Sequence, residues 1–415
     1  MDYRKLMELV STLGTHLAVA GAETYRVEES VVRVCHAYGV EAKVYSVPNS
    51  LIITMAVPEG MPITQLCRID KHTNDLNSVE VYSNISRHIC TRKPSLDSAM
   101  TLLKAATASR KFYSQPVTLL GYILVAAGFC MFFGGTVRDC LCAGACGLLL
   151  GGADFLFNKI QVNVFFQKII AAFLMALAAC GMAALHWNDN VDTVMIGSLM
   201  LLVPGILFTN AMRDIIFGDT NSGTNRIVET LLIAVAIALG TAAAWNLSGS
   251  IMSLPPLVPA QEYSPLVACI SSFIACVGFV LVFNIHGFGK LLCALGGGLA
   301  WAVYCATQHF GGGPALCCFF ATVTAAIYSE VMARIRKYPA TSYLVISLLP
   351  MIPGAGIYYC AQQAISGNLD SAVSYGIQTL TIAGTIAAGI LLVSTVVRSI
   401  TAGRTRHSIA KTAQK

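Results

Sequence analysis

Charge is what this chain has least of. Only 12% of its 415 residues are Asp, Glu, Lys or Arg while 55% are hydrophobic, against a charged share of about a quarter in soluble domains. Together with a mean hydropathy of +0.67, this points to an integral membrane protein. Paired metal-ligand cysteines are also missing. The 15 cysteines include no CxxC, and Cys35 beside His36, or His88 near Cys90, lacks zinc-ligand spacing. Most others, such as Cys142, Cys146, Cys180, Cys276 and Cys318, lie in apolar runs as small hydrophobes. The opening MDYRKLMELV is polar, unlike a secretory signal, and residues 1–112 hold no apolar run long enough to span a bilayer. A cytosolic amino end is therefore expected.

What is present in 1–112 has ordinary globular patterning. Leu6, Leu9, Val10, Leu13 and Leu17 recur at helical spacing, and Val27, Val31, Val34 and Tyr38 share a face of a second helix ending at Gly39. VEAKVYSVPNSLIITMAV predicts two short strands around a Pro-Asn-Ser turn. Helices over 71–91 and 95–111 follow, so 1–112 is expected to be a small cytosolic α+β domain. Glu29 and Arg33, four residues apart, predict an ordinary surface ion pair. Ser11, His16 and Glu23 supply the residue types of a hydrolase without a spacing that fixes their geometry, so a membrane-tethered enzyme or sensor is only an alternative reading.

From Pro116 the chain reads as ten transmembrane helices, over 116–135, 137–157, 168–187, 191–212, 227–247, 265–284, 287–306, 312–333, 341–361 and 374–397. With a cytosolic amino end, Lys159, Lys168, Arg213, Arg226, Lys290, Arg334, Arg336, Lys337, Arg398, Arg404, Arg406 and Lys411 all fall inside and only Arg138 outside, as the positive-inside rule requires. The expected divisions are a first repeat at 113–249, an exterior loop at 250–264, a second repeat at 265–397 and a basic cytosolic tail at 398–415.

A shift of 149 residues superimposes the two membrane halves: Pro116 on Pro265, Gly147 on Gly296, Pro204-Gly205 on Pro353-Gly354, Gly240 on Gly389. Between 203–240 and 352–389, twelve of 38 positions are identical. Five spans per half is an odd number, so the second copy enters the membrane inverted. Inverted repeats are the architecture of many secondary transporters, and paired breaks in corresponding helices point to the binding site. Proline removes a backbone donor and glycine lets the chain unwind, so Pro204, Gly205, Pro353 and Gly354 are candidate substrate-site residues together with Thr209 and Asn210. Ionisable groups inside spans are costly, which makes Asp154, Asp214 and Glu229 candidates for proton coupling. The halves differ chemically: Thr209, Asn210, Arg213, Asp214 and Glu229 correspond to Tyr358, Tyr359, Gln362, Gln363 and Gln378. Arg213 and Arg226 stand ready to pair with Asp214 and Glu229 at the interface. Asp139 is expected to pair with Arg138, and Glu330 with Arg334. Asn284 and His286 are expected to have an interfacial role.

GAETYRVEES at 21–30, GGTVRDCLCAGACGLLLGG, and LLVPGILFTNAMRDIIFGDTNSGTNRIVET resemble the signature regions of the threonine/serine exporter family. MIPGAGIYY resembles its second module, which some bacteria encode separately, so the likeness covers nearly the whole length. The resemblance implies proton-driven export of threonine or serine across the bacterial plasma (inner) membrane, both termini cytosolic. Export of a C4 dicarboxylate such as succinate is the alternative. By motif position it implicates Pro204, Gly205, Thr209, Asn210 and Asp214, with Glu23, Arg26 and Glu28 in the soluble part as a gate. The expected partners are a small solute, protons and the lipid bilayer, with no nucleic acid, cofactor or metal.

Overall fold

A computed structural model describes residues 2–58, 60–160, 162–252, 259–287, 289–336 and 340–413. Lys337 and 253–258 of the expected exterior loop lie outside the described residues, as do the side chains of Arg398, Arg404, Arg406 and Lys411 in the expected tail.

The first hundred residues build one core from both faces of their patterning. Helix α1 (Tyr3–Val19) starts where the Asp2 carboxylate accepts the N–H groups of Arg4 and Lys5, both at 3.1 Å. It buries the predicted stripe of Leu6, Leu9, Val10, Leu13 and Leu17. Helix α2 (Thr24–Ala37) buries Val27, Val31 and Val34 against it and gives way to Gly39, whose φ of +77° a residue with a Cβ adopts at a cost. Strands β1 (Ala42–Val47) and β2 (Ser50–Met55) are the two predicted ones, paired antiparallel from Val47 opposite Ser50 to Ala42 opposite Met55. Alternate residues Leu51, Ile53 and Met55 of β2 enter the core. A third strand, β3 (Ile63–Arg68), adds antiparallel to β2 and was not foreseen. Helices α3 (Leu76–Arg92) and α4 (Leu96–Ala108) complete the layer.

Twelve helices follow: α5 (Gln115–Phe132), α6 (Val137–Ile160), α7 (Val164–Ala184), α8 (Val191–Leu199), α9 (Gly205–Phe217), α10 (Thr220–Ile251), α11 (Pro265–Val282), α12 (Gly289–His309), α13 (Pro314–Arg336), α14 (Ala340–Leu348), α15 (Gly354–Ile365) and α16 (Leu369–Ala413). Among the described residues eight are long and apolar enough to cross a membrane, so the chain is a helical, multi-pass membrane protein. The expected fourth span of each half is not one helix. Residues 191–212 divide into α8 and α9, and the second equivalent bends by 48° between Ala340–Met351 and Gly354–Ile365, giving a ninth span if that bent pair is counted as one. Helices α14, α15 and α16 each begin 149 residues after α8, α9 and α10.

The two breaks share one backbone form. Pro204 (φ −81°, ψ 49°) and Pro353 (φ −77°, ψ 52°) are each the centre of an inverse γ-turn. The Gly205 N–H closes one on the Val203 carbonyl at 2.9 Å, and the Gly354 N–H closes the other on Ile352 at 2.7 Å. Helices α5 and α11 pack tightly and antiparallel. A Cβ on Gly121 would lie 2.9 Å from the Gly278 carbonyl oxygen, so glycine is what permits that approach.

Two pairs expected from sequence neighbours are not formed. Asp139 is fully buried and accepts from the Thr136 N–H (2.8 Å), the Asp189 N–H (2.7 Å) and the Asn190 N–H (2.9 Å), clasping two loops, whereas Arg138 approaches Asp189 at 3.8 Å. A buried carboxylate is better served by three fixed N–H donors than by a side chain that is largely in solvent. Among the described residues Glu330 and Arg334 do not come within ion-pair distance, an exposed pair of that kind being worth little.

Candidate functional site

The charged residues of α9 and α10 meet the first turn of α2. Glu23 occupies the N-cap position of α2, where an acceptor side chain ordinarily takes up a free N–H of the first turn. Its carboxylate makes no such bond. Instead Oε1 accepts from Arg213 Nη1 of α9 at 2.6 Å, both side chains being about 95% buried. Oε2 stands 3.8 Å from Arg26 Nε. Arg213 also reaches Asp214 Oδ1 at 4.0 Å and lies 5.7 Å over the Tyr25 ring. Asp214 Oδ2 is 3.1 Å from Arg226 Nε of α10, whose Nη2 donates to Thr24 Oγ1 at 3.3 Å. Two carboxylates therefore face three guanidiniums in a largely buried place.

Burial opposes ionisation of Glu23, yet the charges of Arg213 and Arg26 outweigh it and hold the carboxyl down at about 2. Burial, then the Glu23 charge, pushes the Tyr25 phenol up to about 12. Around this cluster the contact is polar. Ser46 N–H donates to Glu28 at 2.8 Å, Ser222 donates to the Ser46 carbonyl at 3.3 Å and Asn221 to the Tyr45 hydroxyl at 3.0 Å.

Beside the cluster lies a cavity of about 20 Å³ lined by Glu23, Thr209, Asn210, Arg213, Ile352 and Ile390 among others, room for about one water molecule. Thr209 is 3% exposed, and among the described residues its hydroxyl has no hydrogen-bond partner. Arg213 Nε is likewise unpartnered. Such orphans are uncommon in buried positions and mark a place where polar ligand atoms would be welcome.

The two Pro-Gly breaks adjoin the cavity through Ile352, which lines it. A Cβ on Gly205 would strike the Ile352 side chain and stand 4.0 Å from Gly354 Cα, and one on Gly354 would lie 3.1 Å from Met200 Cε. Of the predicted residues, Glu23, Thr209 and Asn210 line the cavity, Arg26 and Asp214 pair with its Glu23 and Arg213, and Gly205 and Gly354, each following its proline, approach each other behind Ile352. Asp154 is elsewhere: it accepts from Tyr122 Oη (3.2 Å), Asn158 Nδ2 (3.2 Å) and Gln167 Nε2 (3.1 Å), within α5–α7. Glu229 is exposed on α10 one turn past Arg226, with no ion pair among the described residues. The predicted surface pair of Arg33 and Glu29 is formed at 2.7 Å.

Sequence reasoning missed the pairing of Arg213 with Glu23, and Tyr25 beneath it. Arg213 was weighed against its neighbour Asp214 rather than against Glu23, and the available signal was a glutamate at a cap position where Ser, Thr, Asp or Asn is preferred. A second junction was also unforeseen in detail. Asn284 Nδ2 donates to Asp75 Oδ1 and to the Lys111 carbonyl, both at 2.9 Å, and the Leu76 N–H donates to the Phe283 carbonyl at 3.1 Å.

Residues 8–248 match a family model described as "Putative threonine/serine exporter", and residues 268–396 match a second described as "Threonine/Serine exporter, ThrE". A "Probable threonine/serine exporter" of Mycobacterium tuberculosis is 20% identical over 94% of this chain and 76% of its own length. A "Threonine/serine exporter" of Corynebacterium glutamicum is 21% identical over 93% of this chain and 81% of its own. No solved structure matches the chain.

Proposed function

Because the chain belongs to the threonine/serine exporter family, we propose that it exports small polar amino acids, threonine and serine first among them, by secondary active transport. The observation that carries this reading is the meeting of two broken helices, at Gly205 and Gly354, beside the unpartnered hydroxyl of Thr209. Unwound backbone at membrane depth is tolerated where it is enclosed by protein or lines a cavity, and helix starts there favour a carboxylate. Thr209 and Asn210 then serve the substrate's hydroxyl and ammonium groups.

In this reading 113–249 and 265–397 are inverted five-helix repeats with ten spans, the two broken ones included, and they exchange conformations to give alternating access. The 149-residue offset of α14–α16 from α8–α10 and the antiparallel crossing of α5 with α11 support it. Residues 1–112 form a cytosolic α+β domain that gates the inner mouth through Glu23, Arg26 and Glu28, and the basic tail stays in the cytosol. The membrane is the bacterial plasma (inner) membrane. Protons drive export in antiport, with Asp214 or Asp154 carrying the proton and Glu229 a peripheral candidate.

Purified protein in liposomes, presented with labelled threonine, serine and succinate with and without an imposed pH gradient, tests all of this. Gradient-driven threonine accumulation is expected, with succinate a poor competitor. Succinate carried in preference to threonine overturns the substrate assignment. Undiminished coupling in both Asp214→Asn and Asp154→Asn removes the proton assignment.

A further inference from the structure

Glu23 is an odd residue to find where it is. A carboxylate from outside the apolar helices sits on the one guanidinium that borders both the cavity and Thr209. Resting on the exporter reading of this cavity, we infer that Arg213 is the substrate's carboxylate site and that Glu23 is a tethered competitor which occupies it in the closed state.

Charge supports the assignment. Within the ion-paired cluster Glu23 is the closest counter-charge of Arg213 at 2.6 Å, and without it the nearest carboxylate is Asp214 at 4.0 Å, which already pairs with Arg226. The carboxylate of an incoming amino acid gives the Arg213 guanidinium the direct counter-charge that Glu23 supplied, while its ammonium is left to Asn210 and Thr209, and a solute without a carboxylate offers Arg213 no such partner. Space supports it as well. A cavity of about 20 Å³ has room for about one water, far less than an amino acid needs, so entry requires the first turn of α2 to withdraw. Withdrawal vacates Arg213 and brings Arg213 Nε and Thr209 Oγ1, both without hydrogen-bond partners now, within reach of a hydroxy amino acid.

Geometry gives the tether its weakness. Glu23 engages Arg213 through a single oxygen, Oε1 to Nη1, while Oε2 is turned toward Arg26 Nε at 3.8 Å. A free carboxylate can instead take the guanidinium in bidentate fashion, which is the stronger arrangement. Only the residues flanking Glu23 need move for the exchange. The contact of Glu28 with Ser46 further along α2 serves the proposed gate as the fixed end about which the first turn moves.

The consequence for transport is arithmetic. A site open for a fraction f of the time binds with an apparent constant raised by 1/f. A tether closed nine-tenths of the time therefore raises the cytosolic-side KM about tenfold. Glu23→Gln removes the charge that competes and is expected to lower KM for threonine several-fold. Arg213→Gln raises KM, and in that background Glu23→Gln has no further effect on it.

The test uses the full chain in liposomes with the cytosolic face accessible, together with amide exchange over residues 21–30. L-Threonine is expected to speed exchange there, whereas 2-amino-1,3-butanediol, the same molecule with its carboxylate replaced by an alcohol, leaves it unchanged. This arm needs no substitution, so it stands even if Glu23→Gln folds poorly. Threonine transport with exchange at 21–30 unmoved, an equal response to the alcohol, or an unaltered KM in a folded Glu23→Gln protein each overturns the inference while leaving the exporter reading intact. Absence of threonine transport by the unmodified chain overturns both.

Discussion

Gly205 and Gly354, 149 residues apart in sequence, stand face to face: a methyl group on the first would come within 4.0 Å of the Cα of the second. Each follows a proline at the centre of an inverse γ-turn, so two equivalent interruptions of helix meet at one point. Beside this meeting the cavity takes its polar lining from Thr209, Asn210 and Arg213 of α9 and from Glu23, while the lining residues of the second half, such as Leu348 and Ile352, are apolar.

The closeness makes the two glycines unequal in a testable way. Gly205→Ala drives a methyl into Ile352, whereas Gly354→Ala meets the end of the flexible Met200 side chain at 3.1 Å. Overpacking of the first kind costs about 1–3 kcal/mol, and methionine yields readily. Gly205→Ala is expected to lose most transport and Gly354→Ala to keep more. Trimming the obstacle, in Gly205→Ala with Ile352→Ala, is expected to recover activity; no recovery would assign glycine there to backbone freedom instead.

Removing one member of the Glu23 and Arg213 pair leaves a charge about 95% buried without its closest partner. Losses of about 3–5 kcal/mol follow from such breaks, so Arg213→Ala and Glu23→Ala are expected to melt well below the unmodified protein. The neutral double substitution Glu23→Gln with Arg213→Gln should melt above Arg213→Ala. A melting order with the double variant lowest would show that the pair is not the source of the loss.

Acid reports on the same contact. The Glu23 carboxyl is depressed from 4.5 to about 2, so its ionised form is favoured by the folded state. Its contribution is fully present above pH 4.5 and is lost as pH falls through 4.5 toward 2. Melting temperature against pH should fall over that window by more in the unmodified protein than in Glu23→Gln. Equal slopes would mean that Glu23 is not depressed. Changes between pH 5 and 8 leave this group charged, so any transport dependence in that range belongs to another residue.

How much of this could be read from sequence depends on the range of the force concerned. The Pro-Gly breaks were legible because proline and glycine act on their own backbone, and both turns formed where 204 and 353 placed them. The core of α1, α2 and β2 was legible from period. Strand β3 was not, since most of Ile63–Arg68 is exposed and carries no alternation. The fourth spans, given as 191–212 and 341–361, divide at the Pro-Gly breaks into separate helices. The pairing of Arg213 with Glu23 joins residues 190 apart in sequence. Charge complementarity names a type of partner and not its address, which is why Arg213 was matched to Asp214 and Arg138 to Asp139.

Asn284 offers a separate test. Its backbone is left-handed at φ +57°, and its amide holds both Asp75 and the Lys111 carbonyl. Asn284→Ala removes two donated bonds, one of them to a carboxylate, at a cost of about 1–3 kcal/mol. Faster amide exchange at 75–78 is expected, with exchange at 21–30 unaffected. Acceleration at both places would mean that the two contacts release as one.

The amino-terminal layer is thus fastened at two points to different helices: to α9 and α10 by buried ion pairs, and to the end of α11 by the Asn284 amide and the Phe283 carbonyl. Under the proposed alternating access, a strut pinned to both halves has to yield at one of its pins. The ionic pin, whose charges a solute can satisfy, is the one suited to let go. The amide pin, which no small anion can replace, is then the one expected to hold while the first turn of α2 lets go.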